Sequence, residues 1–208
     1  MRKKEVMIVT GAGQISMAIA RRVGYGKKIV IGDKNIKNAK VIAEGGCGVT
    51  ISSQSGWRMP QLTAEEDAAL ATTPTEELLN FEILQPENIR DTLHAYQMAK
   101  RCNEKRVMAQ SVAWGKRGAR LNDIAPGIIV TPLAVDEFNG PRGDFYKNMF
   151  AKCPAGRPGT ADEVANVAEL LMSDKGAFIT GSTFLIDGGA TSSYYYGPLK
   201  PENSPARG

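Results

Sequence analysis

A short apolar run, Val6-Met7-Ile8-Val9-Thr10, passes directly into Gly11-Ala12-Gly13-Gln14-Ile15-Ser16. Met17-Ala18-Ile19-Ala20-Arg21-Arg22-Val23 follows. The first run has the make-up of a short buried strand, and the last reads as a helix. Strand, glycine turn and helix in that order commit the chain to an α/β design built on a parallel sheet. The first glycine permits the tight turn. The second lets backbone N–H groups approach a pyrophosphate at the positive end of the helix. The third position, which usually holds glycine for close helix–strand packing, is Ser16, small enough to fit.

A second strand, Lys28-Ile29-Val30-Ile31-Gly32, ends at Asp33. A carboxylate about twenty residues beyond the first glycine accepts hydrogen bonds from the adenosine ribose hydroxyls. It also repels a 2′-phosphate, which favours NAD over NADP, although Lys34 beside it acts the other way. A plain strand end or N-cap is the competing reading of Asp33.

The second chemical signal is the pair Tyr96 and Lys100 in His94-Ala95-Tyr96-Gln97-Met98-Ala99-Lys100. Four residues apart, they share one face of a helix. A phenol is a poor base at neutral pH, and a neighbouring ammonium favours its ionised form. Upstream lies Ile51-Ser52-Ser53-Gln54-Ser55-Gly56. The Ser53 hydroxyl is suited to hold an alcohol or carbonyl oxygen beside the phenol, with Ser52 and Ser55 as weaker candidates. The set amounts to a proton-transfer device for alcohol/ketone chemistry. Tyr and Lys often fall four apart on solvated helices, so the pair gains meaning from its surroundings.

Composition excludes several other classes. The 208 residues suffice for one domain with a real core, and 42% hydrophobic with 23% charged residues is globular rather than disordered. The net charge of +4 comes from scattered cations with no aromatic interleaving, so no nucleic-acid partner is expected. Cys47, Cys102 and Cys153 lack C-x-x-C spacing, which argues against a disulfide framework and against a metal site. A single histidine, His94, and no G-x-S-x-G elbow argue against acyl transfer. The N-terminal apolar run is too short for a signal peptide or a membrane span, so a cytoplasmic protein without membrane association is expected.

Further along, helices are expected over 35–44, over the stretch that carries Tyr96 and Lys100 and continues to about Trp114, over 144–151, and after Thr160, as N-cap with Glu163 three later, to Met172. Strands are expected over 49–52, 120–125 and 183–187. Residues 57–92 form a polar excursion with capping-box signals at Thr63–Glu66 and a second helix start near Thr75, and they read as an ordered helical insertion. The stretch after Leu133 through Gly143 reads as mobile, and Thr131 reads as an N-cap before Pro132. The expected organisation is a single domain over 1–191 with the insertion at about 57–92. A C-terminal tail over 192–208 is poorly ordered or bound to a partner.

Thr10-Gly11-Ala12-Gly13, Ile51-Ser52-Ser53 with Tyr96-x-x-x-Lys100, and Pro126-Gly127-Ile128-Ile129-Val130-Thr131 together resemble the short-chain dehydrogenase/reductase family. Gly156-Arg157-Pro158-Gly159 and Ile186-Asp187-Gly188-Gly189 agree. The long Ser53-to-Tyr96 separation is similar to that of the 3α-hydroxysteroid dehydrogenase/carbonyl reductase branch. The resemblance implies a Rossmann-like doubly wound parallel sheet and an NAD(P)-dependent interconversion of a secondary alcohol and a ketone. It implies Tyr96 as general acid/base, Lys100 on the nicotinamide ribose, and Ser53 on the substrate oxygen. Gly11, Gly13 and Ile15 would line the pyrophosphate, Asp33 the adenosine ribose, and Pro126, Ile129 and Thr131 the nicotinamide, with Tyr96 and Lys100 also touching the cofactor. It also implies a small-molecule alcohol or ketone substrate and a homodimer or homotetramer.

The chain departs from the family in one respect. Two strand–helix units between the second helix and the serine strand are absent, so the sheet is reduced in strand number. Val41-Ile42-Ala43-Glu44 runs straight into Gly45-Gly46-Cys47-Gly48. If the first strand then pairs with the serine strand, the order becomes 2-1-3-4-5. The second helix would move to the opposite face, leaving apolar surface and reduced stability at the join. A non-catalytic remnant that binds dinucleotide or dimerises is the alternative to the enzyme.

Overall fold

The structure, a computed structural model, describes residues 6–10, 13–25, 27–32, 46–141 and 143–201. At the N-terminus β1 (Val6–Thr10) pairs in parallel with β2 (Lys28–Gly32) across the connecting helix α1 (Gln14–Val23). This helix starts three positions earlier than expected because Gly13 takes the extended N-cap conformation, with φ −67° and ψ 167°. Arg21 and Arg22 in its last turn suit the negative end of the helix dipole.

A second parallel ladder joins β3 (Cys47–Ile51), β4 (Arg120–Pro126) and β5 (Thr183–Ile186). Between β3 and β4 come α2 (Gln54–Trp57), α3 (Ala64–Thr72), three 3₁₀ turns over 78–88, and α4 (Thr92–Gly115). Between β4 and β5 come α5 (Pro132–Asn139), α6 (Gly143–Ala151) and α7 (Ala161–Met172). The last helix, α8 (Ala190–Tyr196), follows β5.

Helices cover both faces of the β3–β4–β5 ladder. Successive strand residues point to opposite faces. On β4, Ile124 joins the core built with Val164, Ala165, Ala168 and Leu171 of α7, while Asp123 reaches Ser52 on the side that carries α4. On the first side α1 packs against α7, so Ala18, Ile19 and Ala20 share a core with Met7 and Val9 of β1 and with α7. On the second side α2 and α3 pack on α4, and Met59, Leu70, Met98 and Cys102 form a satellite core under the insertion.

The expected order 2-1-3-4-5 is not what forms. Among the described residues β1 pairs with β2 alone and β3 with β4 alone, giving two separate ladders. The two ladders are joined through the helix layer, where α1 packs on α7 and α7 on β3 and β4. The predicted helix over 35–44 and the apolar surface at the join lie outside the described residues.

Two local features fix β4. Arg120 spreads its guanidinium over the carbonyls of Leu171, Ser173 and Gly176, at 2.5, 3.1 and 2.7 Å, satisfying the end of α7. Asn122, fully buried, bonds Ile179 O and Ser182 N and so ties down the approach to β5. Gly48 on β3 is required by a close approach, since a Cβ there would lie 2.7 Å from the Trp114 ring at the end of α4.

A helix forms within the stretch read as mobile, and another runs into the start of the tail. Residues 132–139 form α5, started by the Thr131 side chain accepting from Ala134 N and by Pro132 in the first turn. The position given as the start of the tail, 192, falls inside α8. The Tyr195 hydroxyl bonds Trp57 O, Arg58 lies 5.4 Å from the Tyr194 ring centroid, and Ser193 is buried.

Candidate functional site

β3 ends at Ile51, and the next two residues, Ser52 and Ser53, are both buried. Ser53 is the N-cap of α2, where its hydroxyl oxygen accepts the Ser55 N–H at 3.2 Å. That leaves the hydroxyl proton to be donated elsewhere. Ser52 is differently occupied: its hydroxyl lies between the carboxyl groups of Asp123 and Glu104. Of the two adjacent serines, Ser53 is therefore the one with donor capacity to spare.

Asp91 caps α4 through the His94 N–H at 2.7 Å, placing Tyr96 and Lys100 in its first turns. His94 faces the same loop, its Nδ1 accepting from Arg90 N. Partial burial and the nearby Arg90 hold its pKa below the ordinary value. The Tyr96 ring is 46% exposed, and the Lys100 ammonium sits 5.4 Å from its centroid. Helix α4 packs on α2, so the turn that carries Ser53 and the helix that carries Tyr96 are neighbours.

At the carboxyl ends of β4 and β5 lies an open cavity of about 230 Å³, bounded by Gln54, Ile129, Met149, Cys153 and Asp187. Open parallel sheets place ligands at this end. Of the residues expected to act, Ile129 lines the cavity, while Ser53, Tyr96 and Lys100 lie outside its lining; Gln54 is the link, directly following Ser53. Pro126 ends β4 opposite Ile186, and Ile129 bridges to Gly159, so the loop from Pro126 to Thr131 is fixed at both ends. The Thr131 oxygen is engaged in capping α5.

Gly11 and Asp33 lie outside the described residues. Gly13 and Ile15 are described. Among the described residues a Cβ at Gly13 would meet nothing within 4 Å, no side chain caps α1, and its first turn holds no acidic residue. That end of the helix carries a positive field suited to an anion.

Sequence reasoning missed Glu104 and Asp123. Asp123 is fully buried and Glu104 is 7% exposed. Burial pushes the Glu104 carboxyl up to about 8, and the charge of Asp123 adds to the rise. Two signals were available. Asp123 directly precedes the apolar strand end Ile124-Ala125, and Glu104 falls on the same helix stripe as Lys100, Val107 and Ser111. Among the described residues no three His, Cys, Asp or Glu side chains gather as a metal site, and no helix is long and apolar enough to cross a membrane.

The sequence profile of the Enoyl-(Acyl carrier protein) reductase family matches residues 48–191. A short-chain dehydrogenase/reductase of Alternaria brassicicola, bsc3, is 36% identical over 152 residues, covering 73% of this chain and 55% of that protein. The 3-alpha-hydroxysteroid dehydrogenase/carbonyl reductase of Comamonas testosteroni is 35% identical over 123 residues, 58% of this chain and 47% of its own. The chain thus spans about half the length of these curated relatives. Among solved structures, the 3-alpha-hydroxysteroid dehydrogenase of Pseudomonas sp. B-0831, complexed with NADH, superposes with a TM-score of 0.67. The identity is 21%, over 96% of this chain and 100% of that one. BdcA in complex with NADPH superposes with a TM-score of 0.57 at 19% identity, over 89% and 93%. At such identities the likeness is one of fold.

Proposed function

Because this chain belongs to the short-chain dehydrogenase/reductase family, we propose that it interconverts a secondary alcohol and a ketone with a nicotinamide dinucleotide, NAD in preference to NADP. The observation that carries the reading is the placement of Ser53 as the N-cap of α2, against the helix that presents Tyr96 beneath the Lys100 ammonium. Gly13 and Ile15 would hold the pyrophosphate, and Pro126, Ile129 and Thr131 the nicotinamide. Gly11 and Asp33 join this set from the sequence. When bound, the dinucleotide supplies the hydride acceptor or donor. Ser53 donates its hydroxyl proton to the substrate oxygen, its own oxygen being held by Ser55 N–H. Tyr96 takes the alcohol proton in one direction and returns it in the other. Lys100 orients the ribose from the same helix face. The substrate reaches these groups from the cavity beside Gln54.

A second reading has its own support. The glycine turn belongs to the β1–β2 ladder and the acid–base groups to the other, with no strand pairing between them among the described residues. A module that binds dinucleotide or dimerises without turnover fits that separation. NADH absorbance, followed with a panel of ketones, polyols and hydroxysteroids, tests the two. Turnover that Tyr96→Phe abolishes at least a thousandfold supports the enzyme. Cofactor binding with no turnover for any substrate supports the module.

A further inference from the structure

Ser52 stands between two buried carboxyl groups from different elements. Its hydroxyl meets Asp123 Oδ2 on β4 and lies 3.4 Å from Glu104 Oε1 on α4. A hydroxyl has one proton and cannot donate to both. Asp123 collects hydroxyl donors: Ser52 on one oxygen, Thr50 at 2.5 Å on the other, and Thr183 from β5. Burial raises the Asp123 carboxyl above its ordinary value, but three hydroxyl donors and the charge of Lys100 work against that rise, whereas nothing comparable surrounds Glu104 among the described residues, so Asp123 is the better placed of the two to carry the negative charge. Glu104 has no such set. Its oxygen abuts the Gly56 backbone so closely that a Cβ there would lie 2.5 Å from it, and its polar contact is Ser52. The arrangement closes as a chain when Glu104 is the neutral acid. Glu104 donates to Ser52 Oγ, and Ser52 donates to Asp123.

We propose that Glu104 is a positioning residue: as a protonated acid it pins α4 to the end of β3 through Ser52, and so sets Tyr96 and Lys100 against Ser53. This rests on the reading of those three residues as the acid–base machinery. Glu104 is one helical turn beyond Lys100, and Ser52 is the residue before Ser53. One buried hydrogen-bonded link thus joins the two elements that carry the reacting groups. Ionising Glu104 would place two negative charges around one hydroxyl in a buried site, and one carboxylate would lose its donor. The charged groups that face Glu104 are few. Asp123 approaches from β4, Arg101 and Lys105 come from α4 itself, and α2 presents Gly56. Asp67 of α3 draws off both Arg101 and Lys105 as ion-pair partners, at 2.6 and 2.9 Å, and Arg58, which ends α2, is turned to Gln54 Oε1.

The test compares the full chain with Glu104→Gln and Glu104→Leu by thermal melting and by turnover from pH 5 to pH 9. The unfolded glutamate releases its proton near pH 4.3 and the folded one only near 8, so stability tied to this proton is present at low pH and lost as pH rises to about 8. The wild type should fall in melting temperature relative to Glu104→Gln by roughly 10 °C between pH 5 and pH 8. Its turnover should fall about tenfold per pH unit above that point relative to the glutamine variant. Glu104→Leu, which fills the space without a donor, should lose turnover at every pH while melting no lower than the wild type at pH 8. Parallel melting profiles for wild type and Glu104→Gln overturn the protonated link. Wild-type turnover in Glu104→Leu overturns the positioning role. If no variant turns over any substrate, the acid–base reading of Tyr96 falls, and the melting comparison alone upholds or overturns the link.

Discussion

Replacing Ile19 by alanine probes how the two ladders are held together. Ile19 lies on α1, is 8% exposed, and shares its core with Val164, Ala165, Ala168 and Leu171 of α7 and with Met7 and Val9 of β1. Truncating a buried isoleucine costs 2–5 kcal/mol, and about 3 kcal/mol suits a site whose neighbours are small alanines with little room to collapse. No strand pairing among the described residues joins β1 to β3, so this packing carries the attachment. The loss should therefore fall on one side of the molecule. At 1.4 kcal/mol per factor of ten, amide hydrogen exchange in β1 and β2 should speed up roughly 150-fold. The amides of β3, β4 and β5 should change by less than about threefold, because their ladder and the packing on its α4 side keep all their contacts. Hydrogen exchange read by mass spectrometry or NMR resolves the two ladders. An equal increase in both would show that the chain unfolds as one cooperative unit and would refute the separate attachment.

Two further outcomes concern the insertion. Leu70, fully buried in the satellite core with Met98 and Cys102, should lower the melting temperature by about 5–15 °C when changed to alanine, read in a thermal melt. Burial works to raise the pKa of Asp67, but its hydrogen bonds to Arg101 and Lys105 more than offset this and leave the carboxyl below its ordinary value. Stability from that pairing is present above the unfolded pKa and lost on acidification. Urea midpoints at pH 5 and pH 3 should therefore drop more for the wild type than for Asp67→Asn, and equal drops would remove Asp67 from the account.

What could be read from the sequence was local in origin. The capping box at Thr63–Glu66 forms as expected, and Thr160–Glu163 forms another, because each needs only four consecutive residues. The end of α7 at Met172 and the run of α4 to Gly115, one residue beyond Trp114, follow from the same short-range rules. The strand order could not be read this way. Whether β1 meets β3 depends on where α7 places α1, and these helices are far apart in sequence. Most of α5 falls in the stretch that reads as mobile, yet Thr131 and Pro132 supply a complete helix start. Within the candidate site, Ser53 and Tyr96–Lys100 were visible as motifs because residue type and spacing define them. Glu104 was hidden, since a glutamate on a long polar helix reads as solvated until the fold turns it toward Asp123.

The contact between α1 and α7 reverses the usual division of labour in a parallel α/β protein, where the sheet is the frame and the helices its cladding. Here the cladding spans a seam in the frame. The backbone amides and carbonyls along the margin of β1 away from β2, and of β3 away from β4, have no strand partner among the described residues, and such margins are ready templates for a foreign extended chain. Concentrated samples should then be lost through strand exchange at this seam, and tightening the helix contact would protect them better than enlarging the core under the insertion.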